Sequence, residues 1–341
     1  MKVRLFLTSL GLGLGLLLPS CKESEAPTTE PSAPVGQVEE ELELFSETRP
    51  LMGTEFTIHV YAPNRLSAIK AIDNAFEIAA DINQAASDYD ENSELSKLNA
   101  APHGEPIAIS KLLGDLLFES LVIANITEGA YDPTLGPMTL LWRKSRRSKT
   151  LPSPEELAAA KAASGYQNLE LSKDRLSVTK KVPNMRLDLG GIAKGFAAEQ
   201  MYRVLEYYEL PRSSVMAGGD LRVGDPPPGE TQWPMAVRHR YGNEQNVDNF
   251  KQLAASTSGD LYQFVEIDGV RYSHLIDPRT GLGITKAVSV TVFAKTATLS
   301  DPLATALCIL PEAEGQKVAK KFEKVQVLYS EAKDDSKKPS N

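Results

Sequence analysis

Cysteine is scarce in this chain: Cys21 and Cys308 are the only two among 341 residues. No Cys-based zinc pattern can be built from them. Cys308 lies in the apolar run Leu303–Leu310, where it reads as a buried core thiol. A basic surplus is also lacking. Formal net charge is -8, which excludes the electrostatic footprint of a nucleic-acid binder and argues against broad docking on anionic lipid. A bound phosphate must therefore be neutralised locally, by a metal, a single lysine or backbone N–H groups. No apolar run reaches the length of a membrane-spanning helix. The longest, Leu5–Leu18, is too short. No internal repeat of fixed period and no Walker-type G-x4-G-K-[ST] spacing occur.

What remains is ordinary for a globular chain, with 42% hydrophobic and 24% charged residues, enough for a sizeable core. The N-terminus reads as an address. Lys2 and Arg4 precede the apolar Leu5–Leu18 segment, which ends in Leu18-Pro19-Ser20-Cys21. This resembles a bacterial lipobox with Pro19 as a departure. It implies a signal peptide over 1–20 and diacylation of Cys21, with an ordinary secretory signal as the alternative. If Cys21 is modified, no internal disulfide remains possible. Residues 21–46, rich in Glu, Pro, Ser and Thr, read as a flexible tether, and 331–341 as a disordered tail. One domain is expected over 47–330.

Within it, β-branched and aromatic residues mark a strand over Thr54–Tyr61. Helical spacing of Ile69, Ile72, Phe76, Ala79 and Ile82 marks an amphipathic helix over Ser67–Ala85. Ser110–Ile126, Pro154–Ala163, Ile192–Tyr208, Asp301–Leu310 and Lys317–Phe322 read as further helices. Short strands are expected at Leu169–Leu171, Leu176–Thr179, Met185–Leu187, Ser214–Ala217, Met235–Arg238, Tyr262–Ile267, Val288–Phe293 and Val325–Leu328. Strands mixed with helices without regular alternation indicate an α+β fold.

Several segments could carry chemistry. In Asp188-Leu189-Gly190-Gly191-Ile192-Ala193-Lys194-Gly195 a strand end, two glycines and a helix start combine with a lysine, a geometry suited to phosphate and equally to simple packing. In Thr298–Thr305, Asp301 precedes Pro302 and reads either as a helix N-cap or, with Thr305 at i+4, as one of two oxygen ligands for Mg²⁺. Ser256–Asp260 reads as a polar loop. His274 precedes the tight turn Asp277-Pro278-Arg279-Thr280-Gly281, and a His–carboxylate pair with Asp277 could take a proton from a hydroxyl. Gly129–Pro137 is dense in turn residues, and its Tyr131 could stack on an aromatic ring. Met52-Gly53-Thr54 precedes the first strand.

Taken in order, these segments, together with Ala217-Gly218-Gly219-Asp220, resemble the ApbE family of FAD:protein FMN transferases, many of them bacterial lipoproteins. The resemblance covers about Glu47 to Leu328. It implies a single α+β, T-fold-like domain with FAD in a cleft. It implies Mg²⁺ held by Asp301, Thr305 and the carbonyl of Gly191. FAD contacts would fall on Met52, Tyr89, Ala130, Tyr131, Asp132, Asp188, Lys194 and Leu275, Tyr89 resting on the string Ser87-Asp88-Tyr89. The implied reaction moves FMN onto a Thr or Ser of an acceptor, releasing AMP, with His274 as base and Asp277 orienting it. Implied partners are flavoprotein subunits of membrane redox complexes, on the periplasmic side of the envelope, with no nucleic acid. Hydrolysis of FAD to FMN and AMP, or FAD storage without turnover, are the alternatives.

Overall fold

The computed structural model describes residues 41–238, 244–260 and 263–331. The expected signal peptide, Cys21, most of the tether and the tail after Glu331 lie outside the described residues.

Seven strands make one sheet: β1 (Glu43–Leu51), β2 (Thr54–Ala62), β3 (Ser213–Ala217), β4 (Asp220–Val223), β5 (Ala254–Gly259), β6 (Val288–Ala294) and β7 (Gln326–Glu331). They lie side by side in chain order, and every neighbouring pair is antiparallel. The sheet is thus a meander, interrupted by long excursions that carry the helices. These are α1 (Arg65–Ala86), α2 (Glu94–Ala100), α3 (Lys111–Ile126), α4 (Gly136–Ser148), α5 (Pro154–Ala162), α6 (Ala193–Tyr207), α7 (Ala297–Ile309) and α8 (Glu312–Ala319). The α+β expectation holds.

Strand alternation sets the layers, because successive side chains leave opposite faces. On β5 and β6, Ala254, Val292 and Ala294 join the main core under the helices, while Ala255 and Phe293 join a second cluster with Val223, Val237 and Phe250. The β4–β5 excursion therefore covers the face opposite α1, α6 and α7. Helix α1 buries Ala68, Ala71, Ile72, Ala75, Phe76, Ala79 and Ile82 at the expected spacing, and the Asn64 side chain caps it by accepting from the Ser67 N–H at 3.0 Å. A third cluster of Met138, Trp142, Ala160, Val265, Ile267 and Ile276 joins α4 and α5 to the Phe264–Ser273 hairpin, so the turn after His274 is seated by α4 and α5.

Four sequence expectations differ from the fold. Residues 43–46, read as tether, begin β1, whose alternating burial is masked in sequence by its glutamates. Ser256–Asp260, read as a loop, lies largely in the interior strand β5. Its hydroxyls pair across the structure, Ser256 with Ser300 at 2.7 Å and the exposed Thr257 with Thr291 at 2.9 Å, so the buried Ser256, Ser300 and Thr291 keep their hydrogen bonds. Met185–Leu187 is extended but joins no sheet, forming only a bridge between Leu135 and Arg186. Helices α7 and α8 each start about a turn earlier than expected, at Ala297 and Glu312.

Candidate active site

The early start of α7 decides the role of Asp301. The N-cap is Thr296, so Asp301 sits within the helix, 3% exposed, and the cap reading is excluded. Its Oδ2 accepts from the Gly195 N–H at 2.9 Å, at the start of α6, and lies 3.4 Å from Lys194 Nζ. The two helices approach so closely that a Cβ on Gly195 would stand 2.3 Å from the Ala297 carbonyl oxygen. Gly195 is therefore a close-contact glycine, and the Gly-Gly-x-x-Lys-Gly string does two jobs at once. A buried Glu199 adds to the crossing. Its Oε2 accepts from the Ala297 N–H at 3.0 Å, capping α7, and from Arg222 Nε at 3.0 Å.

Lys194 Nζ also lies 2.9 Å from Oδ2 of Asp220, a carboxylate 3% exposed at the end of the Ala217-Gly218-Gly219-Asp220 turn. One lysine thus serves two buried carboxylates. Burial pushes the Asp301 carboxyl up to about 6, reinforced by the charge of Asp220 and opposed by Lys194 and the Gly195 N–H. Burial works against the charge on Lys194, but Asp220 and Asp301 outweigh it and hold its pKa above the usual lysine value.

Thr305 lies one turn beyond Asp301, its hydroxyl 3.2 Å from Ser258 Oγ. Gly191 is adjacent: a Cβ there would meet Thr305 Oγ1 at 3.7 Å and Tyr131 Cε2 at 3.3 Å. The fold therefore brings together Gly191, Lys194, Asp301, Thr305 and Tyr131. No cluster of three or more His, Cys, Asp or Glu suited to a metal occurs among the described residues. A carboxylate, a threonine hydroxyl and a backbone carbonyl are nevertheless hard oxygen donors of the kind Mg²⁺ takes, usually keeping several waters.

The other expected contacts surround this cluster. Tyr131 is buried, its hydroxyl donates to Ser120 Oγ at 3.4 Å, and its ring lies against Gly191. The Asp132 carboxylate is fully engaged, accepting from Thr134 N–H, Thr134 Oγ1 and Tyr166 N–H at 2.8, 2.6 and 3.0 Å. It organises its loop. Asp188 accepts from the Gly190 N–H at 2.9 Å, shaping the glycine turn. Tyr89 is 79% exposed, with the Arg143 guanidinium 4.1 Å from its ring centroid and Arg143 Nη2 2.6 Å from Asp88. Burial and the charge of Asp188 raise the Asp88 pKa, opposed by Arg143.

A cavity of about 780 Å³ opens between Ala130, Asp132, Tyr166, Arg279 and Lys317 of the walls, and one of about 610 Å³ adjoins Met52 and Asn83. Neither is lined by Lys194, Asp301 or Thr305. The 129–132 loop joins the two regions, with Tyr131 against Gly191 and its neighbours on the larger cavity.

His274 departs from expectation in its partner. Its Nδ1 lies 3.1 Å from the Gln263 carbonyl oxygen. In the neutral ring Nδ1–H donates there, leaving the Nε2 lone pair available. Asp277 does not orient it. That carboxylate is held by Arg279, from Nη2 at 2.7 Å and Nε and backbone N–H at 2.9 Å, which closes the turn. Burial lowers the His274 pKa, with Arg146 and Lys194 adding to the shift. Leu275 is buried beside it, its N–H donating to Ser273 Oγ at 3.1 Å.

The sequence profile of the ApbE family matches residues 52–329. The chain belongs to the ApbE family. The FAD:protein FMN transferase of Vibrio cholerae is 32% identical over 277 residues, 79% of this chain and 82% of that protein. The protein of the same description in Escherichia coli K12 is 32% identical over 246 residues, 70% of each chain. Among solved ApbE structures, the flavin transferase from Vibrio cholerae superposes with a TM-score of 0.75 at 31% identity, covering 86% of this chain and 96% of that one. The apo flavinyl transferase from Pseudomonas stutzeri gives 0.77 at 27% identity, covering 86% and 92%. Three residues of this ApbE site have no role assigned by the sequence: Asp220, Glu199 and Ser258. Asp220 and Ser258 lie inside motifs that carry the resemblance, whereas Glu199 lies outside all of them.

Proposed function

We propose that this chain is a FAD:protein FMN transferase, acting with Mg²⁺ on a Thr or Ser hydroxyl of an extracytoplasmic acceptor flavoprotein. The observation that carries the reading is the buried Asp301 carboxylate shared by the Gly195 N–H and Lys194, one turn from Thr305 and against Gly191. It joins an anion-binding helix start to a hard-oxygen donor set.

In this reading Lys194 and the start of α6 receive the FAD pyrophosphate. Asp301, Thr305 and the Gly191 carbonyl would hold Mg²⁺, which would neutralise pyrophosphate charge. His274 takes the acceptor hydroxyl proton at Nε2 as that oxygen bonds to the FMN phosphorus. The bond from this phosphorus to the bridging oxygen breaks, and AMP departs with that oxygen. Met52, Tyr89, Ala130 and Leu275 frame the flavin nucleotide, while Tyr131, Asp132 and Asp188 shape the loops that touch it. The reading also takes Cys21 as the lipid attachment that holds the enzyme on the periplasmic side of the envelope, near membrane redox complexes.

The test is incubation with FAD, Mg²⁺ and a carrier protein bearing the acceptor Thr, read as flavin fluorescence on the carrier in a denaturing gel. Labelling that requires Mg²⁺ is expected. Asp301→Ala should reduce its rate about 1,000-fold, for a loss of about 4 kcal/mol of charge stabilisation. Free FMN and AMP with an unlabelled carrier would replace transfer by hydrolysis. Tight FAD binding with neither product would leave a storage protein.

A further inference from the structure

Helix α2 ends against Leu187, the residue that leads into the Asp188–Gly191 turn. Asn99, in its last turn, is 6% exposed and exchanges two hydrogen bonds with a single residue. Its Nδ2 donates to the Leu187 carbonyl at 3.0 Å, and its Oδ1 accepts from the Leu187 N–H at 2.6 Å. The carboxamide thereby does what a neighbouring β-strand would do. Leu187 immediately precedes Asp188 and the glycine turn. The opposite edge of the same segment is pinned to the Gly129–Pro137 segment, with Gly136 N–H donating to the Arg186 carbonyl at 3.2 Å and Asp188 N–H to the Pro133 carbonyl at 2.9 Å. This two-sided pinning keeps Met185–Leu187 extended outside any sheet.

Asn99 is itself fixed. Lys180 is 2% exposed, and its Nζ donates to the carbonyls of Leu98, Asn99 and Ala101 at 2.9, 3.1 and 2.6 Å. All three ammonium protons are spent on carbonyls at the C-terminal end of α2, where a cation is favoured. At the other end of α2, Ser93 is fully buried. Its Oγ accepts from the Ser96 N–H at 2.9 Å and donates to the Ser87 carbonyl at 2.5 Å, two residues from Tyr89. The helix therefore braces two segments at once, the Ser87–Tyr89 loop and the Asp188–Gly191 turn.

We infer that Asn99, secured by Lys180, is a positioning residue for flavin transfer, setting the Asp188–Gly191 turn against α7. This rests on the transferase reading above. Backbone placed wrongly by an ångström beside a reacting phosphate is costly in rate, although Asn99 touches no substrate.

The experiment uses the full chain, with FAD affinity from flavin fluorescence, transfer kinetics on the carrier and thermal midpoints. Asn99→Ala should lower kcat by about 10- to 100-fold and weaken FAD binding at temperatures where the variant is fully folded. Asn99→Asp keeps the acceptor for the Leu187 N–H but loses the donor, and should fall between. Phe250→Leu, in the core cluster on the far face of the sheet, controls for general loosening and should leave kcat and FAD affinity unchanged at a comparable loss of thermal midpoint. Unaltered kinetics in folded Asn99→Ala, or an equal decline in Phe250→Leu, would overturn the inference while leaving the transferase reading intact. Should Asn99→Ala not fold, Asn99→Asp with wild-type kinetics would overturn it equally. A wild-type chain that neither binds FAD nor labels the carrier would overturn both.

Discussion

Asp301 and Asp277 both precede proline, yet their surroundings make them different groups. At the α6–α7 crossing, Asp301 is held by partners from another helix, and its burial keeps its carboxyl pKa raised. At the Asp277–Gly281 turn, the carboxylate is satisfied by Arg279, two residues away. Despite burial, that bonding and the charge of Arg279 hold Asp277 below the usual carboxylate range. A carboxylate satisfied within its own turn has little left to offer a ligand. One satisfied across a helix crossing holds two helices in place and keeps its environment tuned by distant charges. The crossing is where chemistry is expected, and the turn is where a loop is closed.

The contrast can be broken most severely at Glu199. Glu199→Ala would leave Arg222 buried without its carboxylate and α7 without its cap. A loss of about 3–5 kcal/mol is expected in urea unfolding. A loss below 1 kcal/mol would show that the crossing does not depend on this pair. The pH dependence of transfer sharpens the comparison next. Burial disfavours charge on His274, so its folded pKa lies below its ordinary value near 6.5. The neutral base therefore persists as pH falls through 6.5, and the acid limb of kcat should lie below that value. An acid limb at or above 6.5 that survives in His274→Ala would remove His274 from the base role. The same depressed pKa makes native stability fully present above 6.5 and partly lost as pH falls through the folded value. The smallest effect is expected at the turn. Asp277→Asn weakens a pair whose Arg279 partner is 59% exposed, so stability should change by no more than about 1 kcal/mol. Transfer should stay within about tenfold of wild type, a barrier change of about 1.4 kcal/mol. A loss as deep as that of Asp301→Ala would restore the orienting role that the geometry denies to Asp277.

Local pattern was enough wherever one face of an element meets one core. The spacing of Ile72, Phe76, Ala79 and Ile82 announces α1, and Ser110 announces the start of α3, whose Leu113 N–H it caps at 3.1 Å. It failed where polar side chains find partners far along the chain. The hydroxyl pairs of β5 and the Asn99–Leu187 exchange have no signature in a window of ten residues. Helix α2, seven residues long, carries too short a pattern to announce itself.

From sequence alone follow the excess of negative charge, the α+β class, the order of the motifs and the resemblance those motifs carry. Each depends on neighbours along the chain or on composition. What only tertiary structure decided is which member of each motif is free to act. The Asp301–Gly195 bond spans 106 positions, Glu199 to Ala297 98, and Asn99 to Leu187 88. Hydrogen bonds and burial saturate some polar groups and leave others available, and separations of that length make the choice a property of the packed fold.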